Sequence, residues 1–408
     1  MRFPLHSPQR HIVLLTSWFP PRHGVAVNRM VGFAKYLDTG RNRLTVITDR
    51  PAGSSLREVL FSADVRRFSA EGWLRSLPFL PGEPRWRHLV KVAWNLGVKL
   101  IDRNADRRWA MHAVEVMNQV HAELPVDVVI SSYAPAGPHR AAGDFVRFHP
   151  GVKWVADMRD EMSLNPHFAE KERNRLAAVE RIVNENADAV TSVSRPILDD
   201  FRRLMPGVRS FEEVRNGFDH DFDFEYGFNP VFTISYFGTF YGARKPATFF
   251  KGLSLFLGQT PVPIKLRFIG VHRNFSIPPE LADSCEFMPA LSSTEVIREM
   301  AASDANLLIL PIVAGKGVFS GKIFEYLSVK KPIIAVIDPD DVAAELIREL
   351  RAGFVSDFNN PLSISSAIAE AHRFWVERRP IDCDTLSIRQ LHRRFQVGKL
   401  DKLIDTLS

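Results

Sequence analysis

Apolar residues along this chain alternate between short runs and helical spacing. His11 to Thr16 is an apolar run, and Pro20-Pro21 soon afterwards ends the strand that it predicts. Met30, Val31, Phe33, Ala34 and Leu37 then recur at the spacing of one helix face, and Leu44 to Thr48 is a second apolar run. Strand, loop, helix and strand in this order open a parallel α/β sheet. The pattern continues with strands predicted over Val126–Ser131, Val152–Asp157 and Ala189–Val193, and helices over His139–Phe148 and Glu172–Glu185. Short, β-branched, fully apolar strands suit a parallel sheet covered on both faces.

Residues 206–230 interrupt this pattern. Asn216-Gly217 marks a turn, Phe and Asp alternate after it, and the stretch reads as an interdomain linker. Strands then resume at Val231–Phe237, Ile264–Ile269, Ala305–Leu310 and Ile333–Val336, with a helix over Asp341–Leu350. The organisation predicted is two Rossmann-like α/β domains, 1–215 and 216–386, followed by a helical stretch over 387–408. A chain of 408 residues has room for two such cores.

Pro84 to Glu115 stands outside the scheme. Trp86, Trp94 and Trp109 lie there among seven Arg and Lys residues from Arg85 to Arg108. A helix from Trp86 to about Asp102 gathers its apolar residues on one side. It reads either as an amphipathic helix packed on its own domain or as a basic surface resting on anionic lipid.

Composition narrows the function classes. Only Cys285 and Cys383 are present, which excludes a disulfide framework and a cysteine-based zinc cluster and fits a reducing compartment. The net charge of +6 suits phosphate-bearing ligands or an anionic membrane, but no basic run or nucleic-acid motif accompanies it. No apolar stretch approaches the roughly 20 residues of a membrane span, and no secretory signal is visible. The expected location is the cytoplasm, with peripheral contact at the inner face of the membrane.

The segment with most chemistry is Ser320-Gly321-Lys322-Ile323-Phe324-Glu325-Tyr326-Leu327. Small residues opening a helix leave backbone N–H groups free for a diphosphate, and Lys322 adds a charge. Glu325 lies on roughly the same face and suits the hydroxyls of a ribose. The alternative is an ordinary helix with a surface Lys–Glu pair.

This segment, followed by Lys331-Pro332-Ile333-Ile334, resembles the donor-binding segment of glycosyltransferase family 4, whose members have the GT-B fold. Other pieces agree in order. They are Thr16 to Pro21 with Gly24 and Arg29, Trp154 to Asp160, Ala187 to Ser194, Asn216 to Asp219, and Tyr236 to Tyr241. The resemblance implies two Rossmann-like domains facing a central cleft, the first binding acceptor and the second a nucleotide-sugar donor. The final helix is expected to pack back on the first domain. It further implies Arg244 and Lys245, beyond the Gly238-Thr239 turn, as cations on the donor diphosphate. Ser320, Gly321, Lys322 and Glu325 complete the donor site. In the first domain, Asp160 is expected to orient the acceptor or accept its proton, His139 to meet sugar hydroxyls, and Gly24 to allow close backbone approach. Capping or buried roles for His139, and an Asp157–Arg159 ion pair, are the structural alternatives.

Retaining transfer without a metal or other cofactor follows from the same resemblance, onto a glycan or lipid-linked acceptor in cell-surface polysaccharide biosynthesis. One position departs from the family: Gly317 stands where a second glutamate is often found, eight residues before Glu325. A nucleotide-sugar 2-epimerase of the same fold and a non-catalytic nucleotide-sugar-binding subunit therefore stay open. Asp219-His220-Asp221-Phe222-Asp223 has the look of a metal element, but it falls in the expected linker. Hydrolase, P-loop, zinc-protease and nicotinamide-binding motifs are missing from the sequence.

Overall fold

The computed structural model describes residues 9–37, 40–69, 90–91, 105–240, 245–312 and 317–407. They fall into two compact units, Met1–Val214 with Val397–Ser408, and Arg215–Gln396. In chain order the first unit holds β1 (Arg10–Leu15), α1 (Val25–Tyr36), β2 (Asn42–Asp49), β3 (Arg57–Leu60), β4 (Ala63–Phe68), α2 (Ala105–Glu123), β5 (Val128–Ser132), α3 (Gly137–Phe148), β6 (Lys153–Asp157), α4 (Glu170–Asn186), β7 (Ala189–Ser192), α5 (Arg195–Leu204) and β8 (Ser210–Glu213). The second holds β9 (Phe232–Phe237), α6 (Ala247–Gln259), β10 (Ile264–Ile269), β11 (Cys285–Met288), α7 (Ser293–Ala302), β12 (Ala305–Ile309), α8 (Gly321–Ser328), β13 (Ile333–Ile337), α9 (Val342–Glu349), β14 (Gly353–Asp357), α10 (Pro361–Val376) and α11 (Thr385–Gln390). α12 (Arg393–Asp405) starts in the second unit and continues into the first.

The first sheet runs β3-β4-β2-β1-β5-β6-β7-β8, and the second β11-β10-β9-β12-β13-β14. All neighbours pair in parallel except β3 with β4, a hairpin at the edge of the first sheet. Alternation explains why the strands are apolar throughout. Val13 and Leu15 of β1 enter a core with Trp109, Met117, Ala141 and Phe145 of α2 and α3. Ile12 and Leu14 enter the opposite core with Met30 and Phe33 of α1 and Leu400 and Ile404 of α12. β13 does the same, with Ile333, Ala335 and Ile337 on one side and Ile334 and Val336 on the other.

Strand order reverses between β1 and β5 in one sheet and between β9 and β12 in the other. Parallel strands diverge into connections on opposite faces at such a point, so their carboxyl ends leave room for a ligand. The residues of interest lie just beyond these ends.

Two expectations need correcting. The stretch read as linker contains β8, which pairs in parallel with β7 and completes the first sheet. The helical stretch over 387–408 is two helices, α11 and α12, separated at Leu391-His392. Trp109, from the tryptophan-bearing stretch, is buried on α2, edge-on to Phe68 at 5.1 Å. The helix expected from Trp86 to Asp102 lies outside the described residues, except for positions 90 and 91. Among the described residues, no helix is long and apolar enough to cross a membrane.

The carboxyl edge of the first sheet is closed around Asp157, the last residue of β6. Its fully buried carboxylate accepts from Arg29 Nη2 at 2.6 Å and Nε at 3.0 Å, from Thr191 Oγ1 at 2.8 Å and from Ser132 Oγ at 2.9 Å. Arg29 Nη1 donates to the carbonyl of Val214 at 2.8 Å. Burial pushes the Asp157 carboxyl up, but Arg29 and the hydroxyls outweigh it and hold it below the usual carboxylate range. Breaking a buried pair from one side strands the other charge, at a cost of about 3–5 kcal/mol, whereas removing both charges is often close to neutral. Arg29→Met alone is therefore expected to lower the unfolding free energy by about that amount, and Arg29→Met with Asp157→Leu to recover much of it. Guanidinium unfolding of the single and double variants measures this; additive losses would refute it.

Candidate functional site

Site residues of the second unit gather at the carboxyl end of β9 and the start of α8. Ser320 is the N-cap of α8, and its side chain makes no capping hydrogen bond. The first amides of a helix have no partner inside it, so this end of α8 presents donors and the positive end of the helix dipole. Lys322, in its first turn, reaches back across the end of β9. Its Nζ donates to the Tyr236 hydroxyl at 3.2 Å and lies 4.3 Å from the centre of that ring. Tyr236 is buried and stacks on Phe240 at 4.1 Å, so the lysine has a rigid support.

Gly238 sits directly beneath. A Cβ there would come within 3.1 Å of Lys322 Cε and 3.2 Å of Nζ, and the φ of +85° disfavours any other residue. Thr239 is exposed just beyond. Gly317 is buried with φ +102°, and its N–H donates to Asp341 Oδ1 at 2.9 Å. The same oxygen caps α9 through Val342 N at 2.8 Å. So where a second carboxylate was expected, the chain has a glycine whose amide is already engaged.

Glu325 follows Lys322 by about one turn of α8. It is largely buried, and burial raises its pKa against the pull of Arg393 and Lys322. Among the described residues its carboxylate accepts no hydrogen bond. Arg393 is held by Asn216 O at 3.1 Å and by Asp219 at 3.5 Å. Behind Glu325, its carbonyl accepts from Ser328 Oγ at 2.6 Å, and that hydroxyl lies 2.8 Å from His220 Nε2. His220 thus braces α8. Among the described residues no three His, Cys, Asp or Glu side chains cluster in a way that could hold a metal ion.

The remaining cations are placed apart. Lys245 is exposed just before α6, with no ion pair among the described residues. Arg244 lies outside the described residues. Tyr236, Asp341 and Arg393 belong to this neighbourhood, yet sequence reading passed over them. Only Asp341, an acid directly before a helical run, carried a local signal, that of an N-cap.

In the first unit, His139 and Asp157 lie near each other behind the ends of β5 and β6, and Asp160 follows three residues after β6. The Asp160 side chain is 48% exposed and lies 3.3 Å from Arg159. The ion pair offered as an alternative, Asp157 with Arg159, does not form: Asp157 is committed to Arg29, and Arg159 turns to Asp160. His139 is fully buried. Its Nδ1 lies 2.6 Å from Ser131 Oγ, which also accepts from Trp154 Nε1 at 2.8 Å, and its Nε2 has no partner. The ring therefore presents no surface to a ligand hydroxyl here. Gly24 precedes α1, exposed, with φ +133° and open space around its Cα.

Comparison with known proteins identifies the architecture. Residues 23–217 match the family described as glycosyl transferase 4-like domain. The structure is similar to that of a glycosyltransferase from Rickettsia africae ESF-5, with a TM-score of 0.61 and 13% identity over 98% of this chain and 99% of that one. It is also similar to Anabaena Alr3699/HepE in complex with UDP-glucose, with a TM-score of 0.59 and 14% identity over 98% and 99%. A structure described as trehalose-6-phosphate from E. coli bound with UDP-2-fluoro glucose gives a TM-score of 0.54 and 11% identity over 98% and 96%. At such identities the likeness establishes the fold, which is that of the GT-B glycosyltransferases. A search of curated proteins finds no match to the sequence.

Burial holds His139 neutral, with a pKa lowered from 6.5 to about 4 despite the nearby Asp157 charge. Between these two values the unfolded chain takes up a proton that the folded chain refuses. Stability therefore falls as pH drops through that window, by up to about 3 kcal/mol. Unfolding free energies measured at pH 7 and pH 4.5 are expected to differ less in His139→Gln than in the native chain. Equal differences would show that His139 contributes nothing to acid lability.

Proposed function

We propose that this protein is a retaining glycosyltransferase that moves a sugar from a nucleotide-diphosphate donor to a glycan or lipid-linked acceptor in cell-surface polysaccharide biosynthesis. One observation carries the reading: Lys322 and the open start of α8 form a cationic corner over Gly238, with Glu325 one turn away. The diphosphate binds at this corner, and Glu325 accepts hydrogen bonds from the ribose. Arg244 and Lys245 add positive charge as the diphosphate departs. The match to the glycosyl transferase 4-like domain and a similarly folded protein in complex with UDP-glucose support a nucleotide-sugar donor.

During transfer the bond between the anomeric carbon and the diphosphate oxygen breaks, and a bond forms to the acceptor hydroxyl. The departing phosphate oxygen takes the acceptor proton, while Asp160, at the edge of the first unit, orients the acceptor. Fixed cations stabilise charge that develops only in the transition state, which is what lowers the barrier.

Gly317 favours a second reading, a nucleotide-sugar-binding subunit without turnover, because a carboxylate for the donor sugar is missing there. Incubation with UDP-, GDP- and dTDP-sugars, with and without membrane extract, separates the readings. Transfer predicts nucleotide release that depends on the extract. Conversion of the sugar without acceptor indicates an epimerase, and binding without release indicates the subunit.

Lys322→Ala and Glu325→Ala are each expected to weaken binding of the preferred nucleotide diphosphate at least tenfold, a loss of about 1.4 kcal/mol, in a folded protein. The ribose contact needs an ionised Glu325, whose pKa burial has raised. Affinity should therefore drop in acid at a higher pH than an ordinary glutamate would dictate, and Glu325→Gln should flatten that dependence. Calorimetric titration across pH tests both, and undiminished affinity in Lys322→Ala and Glu325→Ala would overturn the assignment.

A further inference from the structure

The loop after β1 carries a large aromatic side chain that the fold holds outward. Ser17 and Phe19 are both buried, Phe19 in the core with Met30 and Phe33, so the residue between them is directed away from the sheet. That residue is Trp18, which is 38% exposed. It lies where the strand order reverses between β1 and β5, the place at which an open parallel sheet receives ligands.

Trp18 is fixed from three sides. Its backbone N–H donates to Thr16 Oγ1 at 3.0 Å, and its indole Nε1 donates to Ala134 O at 2.6 Å, joining the loops after β1 and β5. The Arg22 guanidinium lies 5.7 Å from the ring centre. Arg22 is itself held by Asp49 at 2.5 Å and by the carbonyl of Ser17. With the indole N–H already satisfied, what Trp18 offers to a ligand is its π surface.

One polar atom beside Trp18 in this loop has no partner. Among the described residues, Ser17 Oγ is buried without a hydrogen bond. Leaving such a group unpaired costs about 1–3 kcal/mol, which a hydroxyl of a ligand seated on Trp18 can recover. Gly24, at the far end of the Trp18 loop, has open space around it.

A pyranose ring fits this chemistry. One of its faces carries C–H bonds with partial positive charge, complementary to the negative face of an aromatic ring, and its edge carries hydroxyls. We propose that Trp18 is a stacking platform for a pyranose, the terminal sugar of a glycan acceptor. The proposal rests on the transferase reading and narrows it, because it makes the acceptor's own sugar, and not only its carrier, a recognised group. A rigid aromatic of this kind loses little entropy on binding, so it discriminates by ring shape at small cost.

The test uses the full chain labelled with 5-fluorotryptophan and observed by fluorine NMR. The Trp18 resonance is assigned by its loss in Trp18→Phe, or by its displacement in Arg22→Lys should that variant not fold. The probes are the methyl glycosides of glucose, galactose, mannose and N-acetylglucosamine at millimolar concentration, with glycerol as a hydroxyl source lacking a ring. At least one glycoside is expected to move the Trp18 resonance saturably, at least fivefold more than glycerol does. No response to any glycoside, or an equal response to glycerol, would overturn the proposal. UDP, GDP and dTDP titrated into the same samples report separately on the second unit. Failure of all three there sinks the transferase reading, whatever Trp18 does.

Discussion

A carboxylate cut off from water has to be neutralised where it stands, and Asp157 stands at the end of a central strand. Arg29 comes to it from α1, and hydroxyls come from β5 and β7. Arg29 also takes the carbonyl of Val214, just past β8. One buried charge thus fixes the ends of four neighbouring strands and the helix across them. The loops that hold Trp18 and Asp160, and the one that leads into the helix of His139, spring from this edge. Their positions inherit its rigidity, since an alternative arrangement would leave a charge without a partner.

The second sheet sets up its corresponding edge in another way. At the end of β9 stand an aromatic ring and a glycine in place of a buried ion pair. Gly238 leaves room for Lys322, Tyr236 supports it, and Asp341 holds the loop before α8 by the amide of Gly317. Positive charge is concentrated at a helix start with its backbone donors open, while Glu325 is left without a hydrogen-bond partner among the described residues. One edge is closed by internal pairing of a buried charge, and the other sets a lysine and a glutamate along one short helix.

Much of this was legible in the sequence. Fully buried parallel strands declare themselves as apolar runs, and the nine runs predicted all fall on strands of the two sheets. β8 was not legible, because Ser210, Phe211, Glu212 and Glu213 sit at a sheet edge where burial is incomplete and no apolar run results. The β3–β4 hairpin escaped notice for the same reason. In the second unit, Lys322 and Glu325 were legible as a spacing on one helix. Asp341 and Arg393 were not, because each reaches this neighbourhood from a distant part of the chain, and Tyr236, though two residues from Gly238, carried no sign that its hydroxyl meets Lys322. His139 shows the opposite failure: a histidine opening a helix near carboxylates looks like a ligand-binding group, and only burial reveals that its ring sits inside the sheet's cover.

α12 gives the first unit a history as well as a shape. Val397, Leu400, Leu403 and Ile404 line the same core as Ile12 and Leu14, although nearly four hundred residues separate them. Asp401 is tied to Arg10 at 3.1 Å and to Asn42 at 3.0 Å. During synthesis the amino-terminal sheet emerges first and waits with the part of one oily flank that α12 covers still bare until the ribosome has made the whole second unit. The half that starts first can finish only last, and in the interval that uncovered flank is exposed to chaperones and to other unfinished chains.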